Sequence, residues 1–371
     1  MLGGERGEVL GQYRSAEACR GLVRSIERLA DGLRTARFME FCGGHTHAIM
    51  RHGLRGLLPP NIELLSGPGC PVCVTAQADV DRALAFARLE GVTVATFGDM
   101  VRVPGSGGSL QEARALGADV RVVYSPLDAV ALARSLRSRQ VVFLAVGFET
   151  TAPGVAAALL QARKEGLANF SVFSLLKATP PSMCAIAQAG EVRLDGVIGP
   201  GHVSTVIGAK AWEFLPRDYG IGCAVAGFEP TDILLGVLEL LRMVRRREPA
   251  VANCYPRSVR EGGNAIAQQL IAAAFQLVDV EWRGLGFIPA SGLKLAPDLA
   301  EFDAEHRFAL PKATGEQGAH TACRCGEVLR GVLEPPACPL FANACTPERP
   351  VGPCMVSSEG ACAAYYELGA A

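Results

Sequence analysis

Between residues 42 and 47, Cys-Gly-Gly-His-Thr-His gathers a soft nucleophile, two residues without side chains and two imidazoles. Thiolate sulfur ligates soft and borderline metals, which serine does poorly and valine not at all. Gly43 and Gly44 let a ligand approach the backbone closely. His45 and His47 can bind a metal, orient the thiolate or carry a proton, and a plain backbone hydrogen bond is the alternative for at least one of them. The motif follows the apolar run RFMEF, and a helix starting after it would favour thiolate at Cys42.

A second sulfur motif, Cys70-Pro71-Val72-Cys73, lies between the turn Gly67-Pro68-Gly69 and the helical pattern QADVDRALAFARLE. Near a helix N-terminus the dipole and free N–H groups lower a thiol pKa, which suits an exchanger of electrons. Half of a zinc knuckle would look the same. No second C-x2-C exists to complete one, so a dithiol/disulfide is the expectation.

The third concentration lies between 323 and 362, spaced C-x-C-x12-C-x6-C-x8-C-x7-C. This Pro-rich stretch has too little apolar surface to fold around, so a metal centre is expected to hold it. Paired C-x2-C knuckles, the usual mark of zinc, are missing, and irregular Pro-flanked spacing suits a [4Fe–4S] cluster better. Zinc and unmetallated thiols stay open. On spacing, Cys323, Cys338, Cys345 and Cys362 are assigned to the cluster and Cys325 and Cys354 to a nearby redox pair; His320 is a further candidate ligand. Cys19, Cys184, Cys223 and Cys254 read as small buried hydrophobes.

Glu149, in Phe-Glu-Thr-Thr-Ala-Pro-Gly after the strand VVFLAVG, is placed in the same cleft, although the segment also reads as a helix N-terminus with Thr at the cap and Pro in the first turn. Asp99, His202 and Glu229 stand at similar strand ends and are expected to cap or pack.

Presenting these loops requires a scaffold. NIELLSGPG, GVTVATFGD, VRVVYS, QVVFLAVGFE, DGVIGPG and IGCAVAGFE read as strands, with helices such as ADVDRALAFARLE and PLDAVALARSLRS between them. Such alternation predicts an α/β fold with parallel sheets, whose carboxyl edges carry the site. GPGCPVCV from 67 and GPGHVSTV from 199 align at an offset of 132, which also sets Phe38 on Phe170 and Cys42 on Ser174, while VATFGD from 94 matches VAGFEP from 225. Three matches in one order suggest a duplicated unit. We therefore expect two similar Rossmann-like parallel-sheet domains facing a cleft, residues 1–140 and 141–255, followed by a helical and Cys-rich iron–sulfur domain, residues 256–371. The helix expected in the last domain is GGNAIAQQLIAAAFQLV, followed by GFIPASGLKL.

At 371 residues, with 49% hydrophobic and 20% charged residues, the chain is globular and long enough for two or three compact units. Its 36 basic and 37 acidic residues nearly cancel, so bulk charge draws it to neither nucleic acid nor an anionic membrane. No signal peptide or membrane span is read, and a cytoplasmic location is expected. There, clustered cysteines among a total of thirteen speak for metal or redox chemistry rather than disulfide staples.

Together, FCGGHTHAI, GPGCPVCV, VGFETTAPG, IGPGHVS and the tail from CRCGEVLRGVLEPPACPLF to CTPERPVGPCMVSSEGACAAYY closely resemble the HypD family of hydrogenase maturation factors, over essentially the whole chain. The resemblance implies a three-domain α/β protein with a [4Fe–4S] cluster in its C-terminal part. It implies a scaffold, formed with a small HypC-type chaperone, on which the Fe(CN)2CO group of [NiFe]-hydrogenases is assembled, with cyanide delivered by a HypE-type partner as protein-bound thiocyanate. Cys42 would then ligate the iron, and CPVC with the cluster would supply electrons. The residues alone leave two rivals, an iron–sulfur-dependent thiol/disulfide reductase and a zinc-stabilised binding protein.

Overall fold

In a computed structural model, residues 11, 13–308, 310 and 322–369 are described. His320 lies outside them. The apolar β-branched runs form strands β1 Ala36–Glu40, β2 Ile62–Ser66, β3 Val92–Thr96, β4 Asp119–Val122, β5 Gln140–Gly147, β6 Phe170–Leu176, β7 Gly196–Pro200, β8 Gly222–Ala226, β9 Val251–Asn253, β10 Phe275–Trp282 and β11 Gly286–Leu295. The helices that position the site are α1 Ala16–Ala30, α2 Gly43–Arg51, α3 Gln77–Ala87, α4 Ala152–Glu165, α5 Thr179–Ala189, α6 Gly201–Ile207, α7 Pro230–Arg246, α8 Ala265–Ala274, α9 Cys325–Leu329 and α10 Ala361–Leu368.

Two all-parallel sheets result, of order β2-β1-β7-β8-β9 and β4-β3-β5-β6. Central strands are apolar on both faces because helices cover both: every residue of β3, β6, β7 and β8 is buried, as is β5 beyond Gln140. The fold is thus α/β with two Rossmann-like parallel sheets. Among the described residues no helix is long and apolar enough to cross a membrane.

Strands do not group at the expected boundary of 140. β5 begins at Gln140 yet hydrogen-bonds to β3, with Val92 opposite Gln140, so a cut there would split one sheet. β1 and β2 share a sheet with β7, β8 and β9, so that sheet is built from two separate stretches of chain. The weak repeat is not a repeated folding unit either. β1 and β2 are neighbours in one sheet, whereas Phe170 and Gly199, aligned with their segments, lie on β6 and β7 in different sheets.

In each sheet the direction of strand addition reverses once, between β1 and β7 in the first and between β3 and β5 in the second. The chain crosses from first sheet to second through the CPVC loop and α3, and returns through α5.

After β9 the chain forms α8 and an antiparallel hairpin, β10–β11. The run GGNAIAQQLIAAAFQLV is helical only over Ala265–Ala274, with Asn264 capping it. FQLV instead opens β10, because its residues continue into FQLVDVEW, which pairs with β11 from Phe275↔Leu295 to Trp282↔Gly286. The cysteine-rich tail is short turns around α9, ending in α10, which packs on α2.

Candidate functional site

Cys42 follows β1 at the point where the first sheet reverses, the position at which open α/β sheets bind ligands. Cys42 is the N-cap of α2, yet its side chain caps nothing. The buried carboxyl of Glu40 accepts from the Cys42 N–H at 3.1 Å and from the Thr46 hydroxyl, which fixes the turn that leads into α2. Burial pushes the Glu40 carboxyl up to about 8.

The expected thiolate at Cys42 is not what this environment favours by itself. The N–H groups of Gly44 and His45 pull the thiol pKa down, but burial, reinforced by Glu359 and Glu40, pushes it up to about 12. Only a strong positive charge at the sulfur, such as a metal ion, reverses that balance.

His45 is fully buried, and burial lowers its pKa to about 4, so the ring is neutral. Nε2 lies 2.9 Å from the Gly227 carbonyl and 3.2 Å from that of Ala226. Carbonyls only accept, so Nε2 carries the proton and Nδ1 keeps its lone pair. Nδ1 is buried and has no hydrogen-bond partner among the described residues, the arrangement that readies an imidazole for a metal or a donor group. His47 lies about 200° further round the helix, so the two rings do not share a face. Thr46 is occupied by Glu40.

Glycines here make room for main chain. A Cβ on Gly69, just before CPVC, would collide with the Cys42 backbone, and one on Gly43 would overlap Glu359 of the tail. On Gly44 it would stand 3.0 Å from the Phe228 ring and 3.7 Å from Cys42 Sγ. Three chain segments thus meet at Cys42. Phe228, after β8, is sandwiched between His45 and His202, with ring centroids 4.7 and 3.8 Å away.

Cys70 and Cys73 are buried and joined as a disulfide. Cys73 Sγ lies 3.7 Å from the Pro353 carbonyl, so the residue before Cys354 covers this pair. Pro71 and Val72 line a cavity of about 480 Å³ with Asp99, Thr151 and Glu359, at the reversal point of the second sheet.

All six tail cysteines lie near one another. Cys325 Sγ and Cys354 Sγ are 2.7 Å apart. Burial, with Cys325, Cys338 and Cys345 as neighbours, pushes Cys323 up to about 12, while Cys345 is raised by burial and by Cys362 and Cys338. Cys362 also lies against Cys354. In kind and in nearness this donor set suits a soft metal. As it stands, no three His, Cys, Asp or Glu side chains among the described residues converge on one point.

Glu149 is not at the Cys42 edge. It follows β5, and its two oxygens accept from the Thr179 N–H at 2.7 Å and hydroxyl at 2.8 Å, anchoring the start of α5. Glu229 pairs with Arg14 and caps α7. Sequence reading passed over Glu40, Phe228 and Glu359. Glu40 sits inside an apolar run, a signal that could have found it; Glu359 lies 317 positions from Cys42 along the chain, and nothing local announces it.

The family model described as "HypD: Hydrogenase formation hypA family" matches residues 17–369. Among curated relatives, the hydrogenase maturation factor HypD of Azotobacter vinelandii is 49% identical over 365 residues, covering 96% of each chain. That of Rhodobacter capsulatus is 48% identical over 368 residues, with 97% of this chain and 98% of the relative covered. The Escherichia coli K12 protein is 45% identical over 362 residues, covering 96% of each. The matched span takes in both sheets, the Cys42 and CPVC loops and the cysteine-rich tail, and the chain belongs to the HypD family of hydrogenase maturation factors.

Proposed function

We propose that this chain is a redox-active scaffold that holds the iron of the Fe(CN)2CO group through Cys42, with a HypC-type partner, while cyanide arrives from a HypE-type partner. One observation carries the reading: Cys42 stands at the reversal point of its sheet with the CPVC loop against its backbone and the tail against Gly43. Holding low-spin iron that must later be surrendered calls for few protein ligands, and one thiolate meets that need. His45 Nδ1 offers a lone pair from the same helix turn.

Releasing cyanide from a thiocyanate breaks a sulfur–carbon bond; two electrons and one proton convert S–CN into a thiol and cyanide. Reduced Cys70 and Cys73 supply two electrons and two protons in becoming the disulfide seen here, the second proton passing to solvent. Cys323, Cys338, Cys345 and Cys362 would hold the [4Fe–4S] cluster, which supplies one-electron reducing power when bound. The residues around them do the rest: Glu40 and Gly69 fix the Cys42 loop, and Pro353 keeps Cys73 beside the tail.

The test is anaerobic. Purified protein assayed for iron, sulfide and zinc is expected to be brown, with about four iron and four sulfide in the tail. Cys42→Ala should abolish the infrared bands of iron-bound cyanide and CO in the scaffold complex while leaving the brown colour; loss of both would overturn the separation of the two sites. A thiol/disulfide reductase is the second reading, favoured by the buried CPVC disulfide, and steady turnover of a disulfide substrate without diatomic bands would select it.

A further inference from the structure

His45 is gripped by one short stretch of chain, Ala226-Gly227-Phe228, where β8 ends. Ala226 and Gly227 turn their carbonyls to Nε2, at 3.2 and 2.9 Å, and Phe228 lays its ring on the imidazole face, with centroids 4.7 Å apart and planes inclined by 23°. Three consecutive residues thus hold both the edge and the face of one ring. Phe228 is itself wedged: His202 stacks on it at 3.8 Å and the Tyr255 ring stands nearly perpendicular to it at 6.3 Å.

The stretch has little room to shift. A Cβ on Gly227 would overlap the Asp232 carboxylate and the Tyr255 ring, and one on Gly201, next to His202, would overlap the Ala226 carbonyl. Asp232 is fixed in turn by Arg257, which donates to both of its oxygens. Phe228 also borders the Cys42 site, because a Cβ on Gly44 would stand 3.0 Å from its ring and 3.7 Å from Cys42 Sγ.

We infer that Phe228 is a positioning residue that clamps the His45 imidazole, so that the Nε2–H tautomer persists and the Nδ1 lone pair stays free. The inference rests on reading His45 as part of the iron-holding site. A buried imidazole turns about its Cβ–Cγ bond unless neighbours fill the space the ring would sweep, and Phe228 fills it. Held in this way, His45 accepts a hydrogen bond or ligates a metal at Nδ1, but it has no N–H left to offer a cyanide nitrogen. Thr46, whose hydroxyl donates to Glu40, has none either. A donor to cyanide must lie elsewhere.

The test needs no iron at Cys42. Full-length protein, its metal content recorded, would be labelled with heavy nitrogen in its histidine rings, and the His45 signals assigned with His45→Gln. Long-range proton–nitrogen spectra of the wild type are expected to show a protonated Nε2, a bare Nδ1 and a slowly exchanging Nε2–H. Phe228→Leu keeps apolar bulk but removes the stack, and should speed exchange of that proton about fivefold, the worth of one aromatic pair; Phe228→Tyr should restore slow exchange. Amides of β5 and β6, in the other sheet, should exchange as in wild type, and an equal rise there would reduce the effect to general loosening and overturn the role. If Phe228→Leu does not fold, His202→Ala decides: with one support of the ring removed, exchange about twofold faster is expected, and an unchanged rate overturns the clamp. Unchanged exchange in Phe228→Leu overturns the role of Phe228 while leaving His45 in the site. A wild-type ring protonated at Nδ1 overturns the inference altogether and leaves Cys42 as the iron ligand.

Discussion

At Cys42 two physical effects oppose each other, and magnitude decides. The N–H groups opening α2 stabilise thiolate, but withdrawal from water beside Glu359 and Glu40 weighs more, and the thiol stays protonated until a cation arrives. Such a sulfur is kept from indiscriminate reaction. Lys177, at the end of β6, shows the same contest in a base. Burial lowers its pKa to about 8; Asp79 and Glu281 oppose the shift and Lys294 adds to it. Its Nζ donates to the Glu281 carbonyl at 2.7 Å and lies 5.3 Å from the Trp282 ring centroid. Between about 8 and the ordinary 10.5 the folded chain binds fewer protons at this lysine than the unfolded chain, so its contribution to stability rises with pH through that window. Urea unfolding of wild type and Lys177→Met at pH 7.5 and 10 should show the difference moving toward wild type by about 2–3 kcal/mol; a constant difference would refute the shift.

At the level of elements, close backbone contacts hold together what the site needs. The β10–β11 hairpin meets the tail at Gly284 and Gly326, and Gly284 has φ 79°, a conformation costly for any residue with a Cβ. Gly284→Ala should lower stability by about 2 kcal/mol from strain and overlap together and hasten limited proteolysis of the tail after 323; unchanged proteolysis would show that the hairpin does not restrain it. Helix starts were readable because their chemistry is local: Ser125 accepts from the Asp128 N–H and Pro126 opens the helix Pro126–Ser135. The start of β10 was not, since Ala-rich helix and β-branched strand join with no Gly or Pro between them, and the choice fell to pairing with β11.

For the whole molecule, the first sheet needs strands from both sides of the second. A fragment of residues 1–140 holds β1 and β2 without β7, whose Gly196, Val197 and Ile198 face Phe38, Met39 and Glu40 across the ladder. That fragment should show no cooperative thermal transition, while the full chain does; a sharp transition in the fragment would restore the contiguous division. The sequence by itself determined the α/β class, the parallel strands, the three sulfur motifs and the family, because periodicity, turn chemistry and ligand spacing are short-range properties of the chain. Strand order, the reversal points that put Cys42 and the 480 Å³ cavity where they are, the Glu40 and Glu359 carboxyls around one thiol, and the backbone contact of Gly284 with Gly326 were decided only in three dimensions. Each depends on which distant segments pack together, and on the withdrawal of charge from water that such packing brings.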